Sequence, residues 1–251
     1  MSVTTPWPVF ITGASRGIGA ATARHFAKAG HPVALLARSA APLEALAAEI
    51  EAAGGRALAI PCDVADAAAV AASVAKTLAA FGGIGIVINN AGMLEPLGPI
   101  AEIDMREWAR ALAVNLNGPI YVMHATVPHL PKGGVVINIT SGAAEHASFG
   151  RSAYCASKAG LMIASRVLAV EEGERRGIRA IAFSPGYVDT DMNTLNRANR
   201  MGNAGNIPVA ELRPPEETAR IIHFLTEPEA QDYAGKIVNA RDSELRRRVG
   251  L

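Results

Sequence analysis

The feature that most constrains this chain is a repeated alternation. A short run that is apolar throughout is followed by a longer, alanine-rich stretch with helical spacing. The runs are Val9-Phe10-Ile11-Thr12, Val33-Ala34-Leu35-Leu36-Ala37, Ala57 to Ile60, Ile84 to Ile88, Val135 to Ile139 and Arg179 to Phe183. The helical stretches include Ile18 to Ala29 ending at Gly30, Leu43 to Ala53 ending at Gly54-Gly55, Ala67 to Phe81, and Ser152 to Arg176. Asp104 and Glu107 stand at capping-box spacing ahead of another. Strands without a polar face must be covered on both sides, and helices between them supply the cover. The expectation is an α/β fold: a doubly wound parallel sheet of about seven strands, helices on both faces, in a single domain over residues 1–251.

The first strand runs into Gly13-Ala14-Ser15-Arg16-Gly17-Ile18-Gly19 and then directly into a helix. Glycines at a strand-to-helix turn let backbone approach a pyrophosphate, and the helix N-terminus offers N–H groups and a positive dipole end. Gly13, Ser15, Arg16, Gly17, Ile18 and Gly19 are the expected phosphate contacts; a plain tight turn is the alternative. The second strand ends at Ala37, followed by Arg38. A carboxylate there would accept hydrogen bonds from a ribose 2′-hydroxyl. Its absence, with Arg38 and Arg16 at hand to fork onto a 2′-phosphate, points to NADP(H) over NAD(H).

Tyr154 and Lys158 are four apart on a helix and so share a face. A nearby ammonium favours phenolate, so the pair is expected to lower the phenol's pKa and act as a tuned acid/base. Ser141, on a preceding strand end, could hold a substrate oxygen beside it. The bland reading is an incidental Tyr and Lys on a helix.

Thr12 with Gly13, Gly17 and Gly19, then Asn89-Asn90-Ala91-Gly92, Asn115, Ser141, Tyr154 with Lys158, and Pro185-Gly186 stand in an order and spacing that resembles the short-chain dehydrogenase/reductase family, over roughly residues 8 to 240. The resemblance implies a Rossmann-type oxidoreductase. Asp63 and Val64 would hold the adenine, with helix capping as the structural alternative for Asp63. Asn90, Ala91 and Gly92 would line the adenine ribose and brace the sheet. Asn115 would sit in a locally bent helix and hold a water linked to Lys158. Pro185 to Thr190 would contact the nicotinamide, with Val188 and Thr190 at the carboxamide. Ser141, Tyr154, Lys158 and Asn115 would be catalytic, Ser141 and Tyr154 would touch substrate, and Tyr154 and Lys158 would also touch the cofactor. The reaction implied is NADPH-dependent reduction of a ketone or aldehyde, or its reverse, without a metal. A dinucleotide-binding regulator without chemistry is the competing class, and a dehydratase or epimerase of the extended family a third.

Residues 191–213, rich in Asn and Gly with weak periodicity, read as an irregular substrate lid, with Met192, Leu195 and Met201 as an apolar wall. Among Glu145, His146, Phe149 and Arg151, which border the expected pocket, Arg151 reads equally as an anion attractor or a surface salt bridge. Residues 241–251 depart from the family's apolar, Gly-Gly closing strand and read as a solvated basic tail. Cys62 and Cys155 suit no metal spacing and read as small hydrophobes. His25, His31, His124, His129 and His223 read as structural. A net charge of +1 gives no reason to expect nucleic acid or membrane as a partner. No basic-then-apolar leader and no run near ~18 apolar residues is evident, so a cytoplasmic homodimer or homotetramer acting on a small molecule is expected.

Overall fold

The computed structural model describes residues 6–199 and 207–251. Seven strands form one sheet: β1 (Val9–Thr12), β2 (Val33–Ala37), β3 (Ala57–Pro61), β4 (Ile86–Asn89), β5 (Val135–Ile139), β6 (Arg179–Ser184) and β7 (Ile237–Asn239). Every pairing is parallel, in the order β3-β2-β1-β4-β5-β6-β7. The α/β doubly wound expectation is met. β1, β4, β5 and β6 are buried at every residue, as strands covered on both faces must be. β4 starts two residues later than the apolar run; at Gly85, just before it, a Cβ would sit 2.4 Å from the Trp7 side chain.

Helices α1 (Gly17–Lys28), α3 (Ala67–Phe81), α4 (Met105–Leu112) and α6 (Ser152–Arg176) fall where the spacing placed them, α2 (Ala40–Ala52) starts three residues earlier than expected, and α5 (Gly118–Thr126) follows α4. Asp104 caps α4 by accepting from the Arg106 N–H at 2.7 Å. One hydrophobic cluster, around Phe26, Leu35 and Phe183, lies on one face of the sheet. A second, around Phe10, Leu36 and Val136, lies on the other. α6 is long and apolar enough, over an 18-residue window, to cross a membrane by composition alone. It also buries Tyr154, Lys158 and Glu172, which marks it as a core helix.

Two expectations near the C-terminus are corrected. Residues 191–199 are not irregular; they form α7 (Asp191–Asn199). Asp191 lies in its first turn, where the macrodipole favours an acid, and the Thr194 N–H closes on Thr190 O at 3.0 Å. Met201 and the rest of 200–206 lie outside the described residues. The basic tail is not a solvated end either. It folds as α9 (Ser243–Val249), capped by Asp242 and docked on α8 (Pro215–Thr226) through the fully buried Leu245. Arg246 pairs with Glu217 and Arg248 with Asp232, and the Arg248 guanidinium lies 5.1 Å from the ring centres of both Phe224 and Tyr233. Cationic stems over apolar rings bury more than their charge suggests.

α1 and α8 are joined by imidazoles. His25 Nε2 and His223 Nδ1 are 3.2 Å apart, and His31 and Phe26 pack edge-on against His223. Burial first, then neighbouring positive groups, hold both His25 and His223 below the ordinary 6.5. The neutral forms therefore favour the fold. The unfolded chain binds protons more readily, so this stability is present above pH 6.5 and is lost as pH falls through the depressed folded values. The melting temperature is expected to drop between about pH 7 and 5, and by less in His223→Gln; equal drops in the two proteins would dissociate the effect from this cluster.

Candidate active site

The strand order reverses between β1 and β4, and ligands of open α/β sheets bind outside the carboxyl ends at such a point. A cavity of about 1570 Å³ opens there. Its floor is the glycine turn. Gly13 and Gly17 have φ of +64° and +54°, a region that side chains with a Cβ disfavour. A Cβ on Gly19 would lie 2.2 Å from Gly13 O, and one on Gly13 would lie 2.8 Å from Ala91 Cα. Thr12 Oγ1 accepts from the N–H groups of Asn90 and Ala91 at 3.0 and 3.1 Å, and Asn90 Nδ2 donates to the carbonyls of Thr12 and Gly13. The turn is thus bolted to the end of β4. No acidic residue stands in the first turn of α1 and its N-cap, Arg16, makes no side-chain cap bond, so these N–H groups suit an anion. A cradle that a Cβ would fill fits the phosphates of a dinucleotide.

Around this floor the cavity collects Ser15, Arg16, Ile18, Arg38, Asp63, Val64, Gly92, Pro185, Gly186, Val188 and Thr190 together with Ser141, Tyr154 and Lys158. Arg16 Nη1 lies 2.7 Å from Asp191 in an exposed pair. Asp63 is not the helix cap; that is Asp66, which accepts from Ala68 and Ala69 N–H. Asp63 instead accepts from Ala65 N–H at 3.0 Å and from Arg110 at 2.6 Å. Burial pushes its carboxyl up, but those two donors outweigh it and hold the group below its ordinary value. Thr12 was read as the first residue of the glycine motif but not as its brace, and Arg110 was not singled out from sequence. Arg110 stands 47 residues from Asp63, so no local pattern marks it.

Asn115 lies in a π-helical turn, Ala113–Asn117, between α4 and α5. It is fully buried and acts as a clamp. Its Oδ1 accepts from Met93 N–H at 2.8 Å, and its Nδ2 donates to Met93 O at 2.8 Å and to Ser157 Oγ at 3.2 Å. Lys158 Nζ donates to Ile139 O at 2.8 Å. A Cβ on Gly92 would lie 3.3 Å from Asn115 Oδ1 and 3.6 Å from Lys158 Nζ, so glycine leaves room for both groups.

Ser141 follows β5 in extended backbone, and its Oγ accepts from Ala143 N–H at 3.2 Å. Tyr154, in the first turn of α6, is 8% exposed and lines the cavity together with Ser141. The pair's electrostatics differ from expectation. Burial raises the phenol, with the Ser141 hydrogen bond and the Arg151 charge as partial offsets. Burial also lowers Lys158, to about 8. An ammonium that is itself desolvated and turned toward a carbonyl, 5.8 Å from the centre of the phenol ring, does not overcome the cost of burying phenolate. Of the four residues expected to border the pocket, Arg151 lines it and is 5% exposed, so it is not a surface salt bridge; Glu145, His146 and Phe149 are exposed. The 187–189 segment is pinned to Arg213 by paired backbone bonds, and Met192 and Leu195 of α7 form part of the wall. No group of three or more metal-type ligands occurs among the described residues.

Comparison with known proteins agrees with this architecture. The chain is 37% identical over 234 residues to D-threitol dehydrogenase of Mycolicibacterium smegmatis, covering 92% of this chain and 88% of that one. It is 35% identical over 233 residues to cis-4-hydroxycyclohexanecarboxylate dehydrogenase of Sinomonas cyclohexanicum, covering 92% and 91%. A solved short chain dehydrogenase from Burkholderia cenocepacia, in complex with NADP, superposes with a TM-score of 0.84 at 32% identity, covering 95% of this chain and 97% of that one. The model of the short chain dehydrogenase family matches residues 8–201. Sequence and strand order converge, and the chain belongs to the short chain dehydrogenase family of oxidoreductases.

Proposed function

We propose that this protein interconverts a ketone or aldehyde with its alcohol, using NADP(H). The observation that carries the reading is that Ser141, Tyr154 and Lys158 line one cavity whose floor is the glycine turn. A carbonyl oxygen placed between the two hydroxyls would accept a hydrogen bond from each. When bound, the dinucleotide supplies the hydride. Tyr154 gives its proton to the oxygen of the forming alcohol, and Ser141 donates a hydrogen bond to the same oxygen. Lys158 spends one N–H on Ile139 O and keeps two donors for ribose hydroxyls. Asn115 holds the loop at Met93 against α6 through Ser157, which fixes this wall of the cavity. Arg16 and Arg38, which line the cavity, would take a 2′-phosphate, and Asp63 and Val64 would hold the adenine. The names of the two relatives, one acting on a polyol and one on a hydroxylated ring, support an alcohol–carbonyl couple. The NADP held by the Burkholderia structure supports the cofactor.

The same reading takes the protein as a cytoplasmic homo-oligomer. Ile163, Val167 and Val170 leave an apolar stripe exposed on α6 that suits a second copy. The direct test is absorbance at 340 nm with a panel of ketones and aldehydes plus NADPH, and of alcohols plus NADP. Turnover with at least one class is expected; inertness across both, with cofactor bound, would favour a regulator without chemistry.

A further inference from the structure

The sheet order divides the cavity into two ends. The glycine turn after β1 would hold the phosphates, and Arg38 after β2 and Asp63 after β3 lie to one side of it. The other half of a dinucleotide must then extend over β4, β5 and β6, toward Ser141 and Tyr154. The segment after β6, Pro185 to Thr190, lines the cavity at that end. It is held by a single parallel bridge between Val188 and Arg213. Arg213 N–H donates to Tyr187 O at 3.0 Å, and Arg213 O accepts from Asp189 N–H at 2.8 Å. Asn193 of α7 donates to Val188 O, so the α7 wall rests on the same residue. What fixes Arg213 therefore fixes this end of the cavity.

Arg213 is itself anchored on the C-terminal part of the chain. Its Nη1 donates to Ala240 O, just after β7, at 2.9 Å and lies 3.4 Å from Glu217 in the first turn of α8. Glu217 also pairs with Arg246 of α9 at 2.5 Å, and Arg246 Nη1 lies 3.4 Å from the same Ala240 carbonyl. One carboxylate and one carbonyl are thus shared by two guanidiniums. All three side chains are mostly buried, so water screens them less than a surface pair. A parallel contact is made by Arg241, whose guanidinium lies 4.5 Å from the centre of the Tyr187 ring. Resting on the NADP(H) reading, we propose that Arg213 is a positioning residue for the nicotinamide half of the cofactor: its side chain ties the 187–189 wall to Ala240 and Glu217, and so makes α9 part of the cavity's support. None of Arg213, Glu217 and Arg246 lines the cavity, so they act on a ligand only through that wall.

Two probes separate the ends of the cavity. NADPH would reach the wall; adenosine 2′,5′-bisphosphate, its phosphorylated adenosine half, would not. The test is calorimetric titration of the full chain with each. Arg213→Met is expected to weaken NADPH binding by about ten-fold, the low end for loss of one charge-assisted hydrogen bond. Binding of the bisphosphate should change by less than about two-fold, because the sites are far apart. Glu217→Gln leaves Arg213 and Arg246 facing each other without their carboxylate and should give the same split. Arg213→Lys keeps a charge for Glu217 but loses the planar fork, and should fall between wild type and Arg213→Met. Equal weakening of both probes would reduce the network to general support of the fold, and unchanged NADPH binding would make the wall independent of it; either result overturns the inference. If Arg213→Met does not fold, Glu217→Gln and Arg213→Lys decide by the same criterion. The titration needs no turnover. A wild type that binds neither probe would sink the NADP(H) reading and this inference with it. A wild type that binds both, with no split in the variants, would sink the role of Arg213 alone.

Discussion

Tyr154→Phe is expected to lower kcat for carbonyl reduction by roughly 10³-fold, within the range that a positioned general acid contributes. The ring stays and only the hydroxyl goes, so packing at this 8% exposed site is retained. NADPH binding, followed by fluorescence or calorimetry, should change by less than about three-fold, because the phosphate and adenine contacts lie at the other end of the cavity. The Ser141 hydroxyl remains in the variant, can still polarise the carbonyl and would account for residual turnover. A phenylalanine variant that keeps wild-type kcat would remove Tyr154 from the chemistry.

The second large effect is on cofactor choice. Ala37→Asp combined with Arg38→Gln should shift the ratio of kcat/KM for NADPH over NADH toward NADH by on the order of 10²-fold or more, since each charge-assisted bond is worth about 1.5–3 kcal/mol. Ala37 ends β2 with its carbonyl accepting from Cys62 N–H at 2.8 Å, so the aspartate would sit on rigid backbone at the cavity edge. It would repel a 2′-phosphate and accept from a 2′-hydroxyl. Arg38 lines the cavity, and its side chain forms no hydrogen bond or ion pair among the described residues, so its loss removes a phosphate partner without breaking a structural contact. Arg16 remains, paired with Asp191, and sets the residual preference for NADPH. An unchanged ratio would contradict the charge argument at this strand end.

Much of this architecture was legible because it is local. An apolar run such as Val33 to Ala37 must be covered on both faces wherever it lies. A glycine turn between β1 and α1 carries its meaning in its spacing. The aspartate ahead of α4 caps it as its sequence position implies. Three things were not legible. α7 is polar and asparagine-rich, so it has no apolar stripe to announce it; an aspartate at its start and the pinned 187–189 segment hold it in place. The C-terminal arginines read as a solvated tail because charge in a sequence does not reveal that Leu245 is buried or that Phe224 and Tyr233 lie beneath Arg248. Arg151 read equally as surface and site, because its burial to 5% exposure comes from the fold around it and not from its place in the chain.

By itself the sequence determined the strand order's raw material, the phosphate-type turn, the lack of a carboxylate after β2, and the spacing of Ser141, Tyr154 and Lys158. These depend on residue type and spacing along a few turns of chain. Only the tertiary structure decided how those groups behave. It bolted the glycine turn to Asn90, paired Asp63 with Arg110, made Asn115 a clamp between Met93 and Ser157, and buried the phenol and the ammonium so deeply that desolvation outweighs their mutual attraction. Desolvation and long-range pairing depend on what surrounds a group in space, and no spacing rule along the chain carries that information.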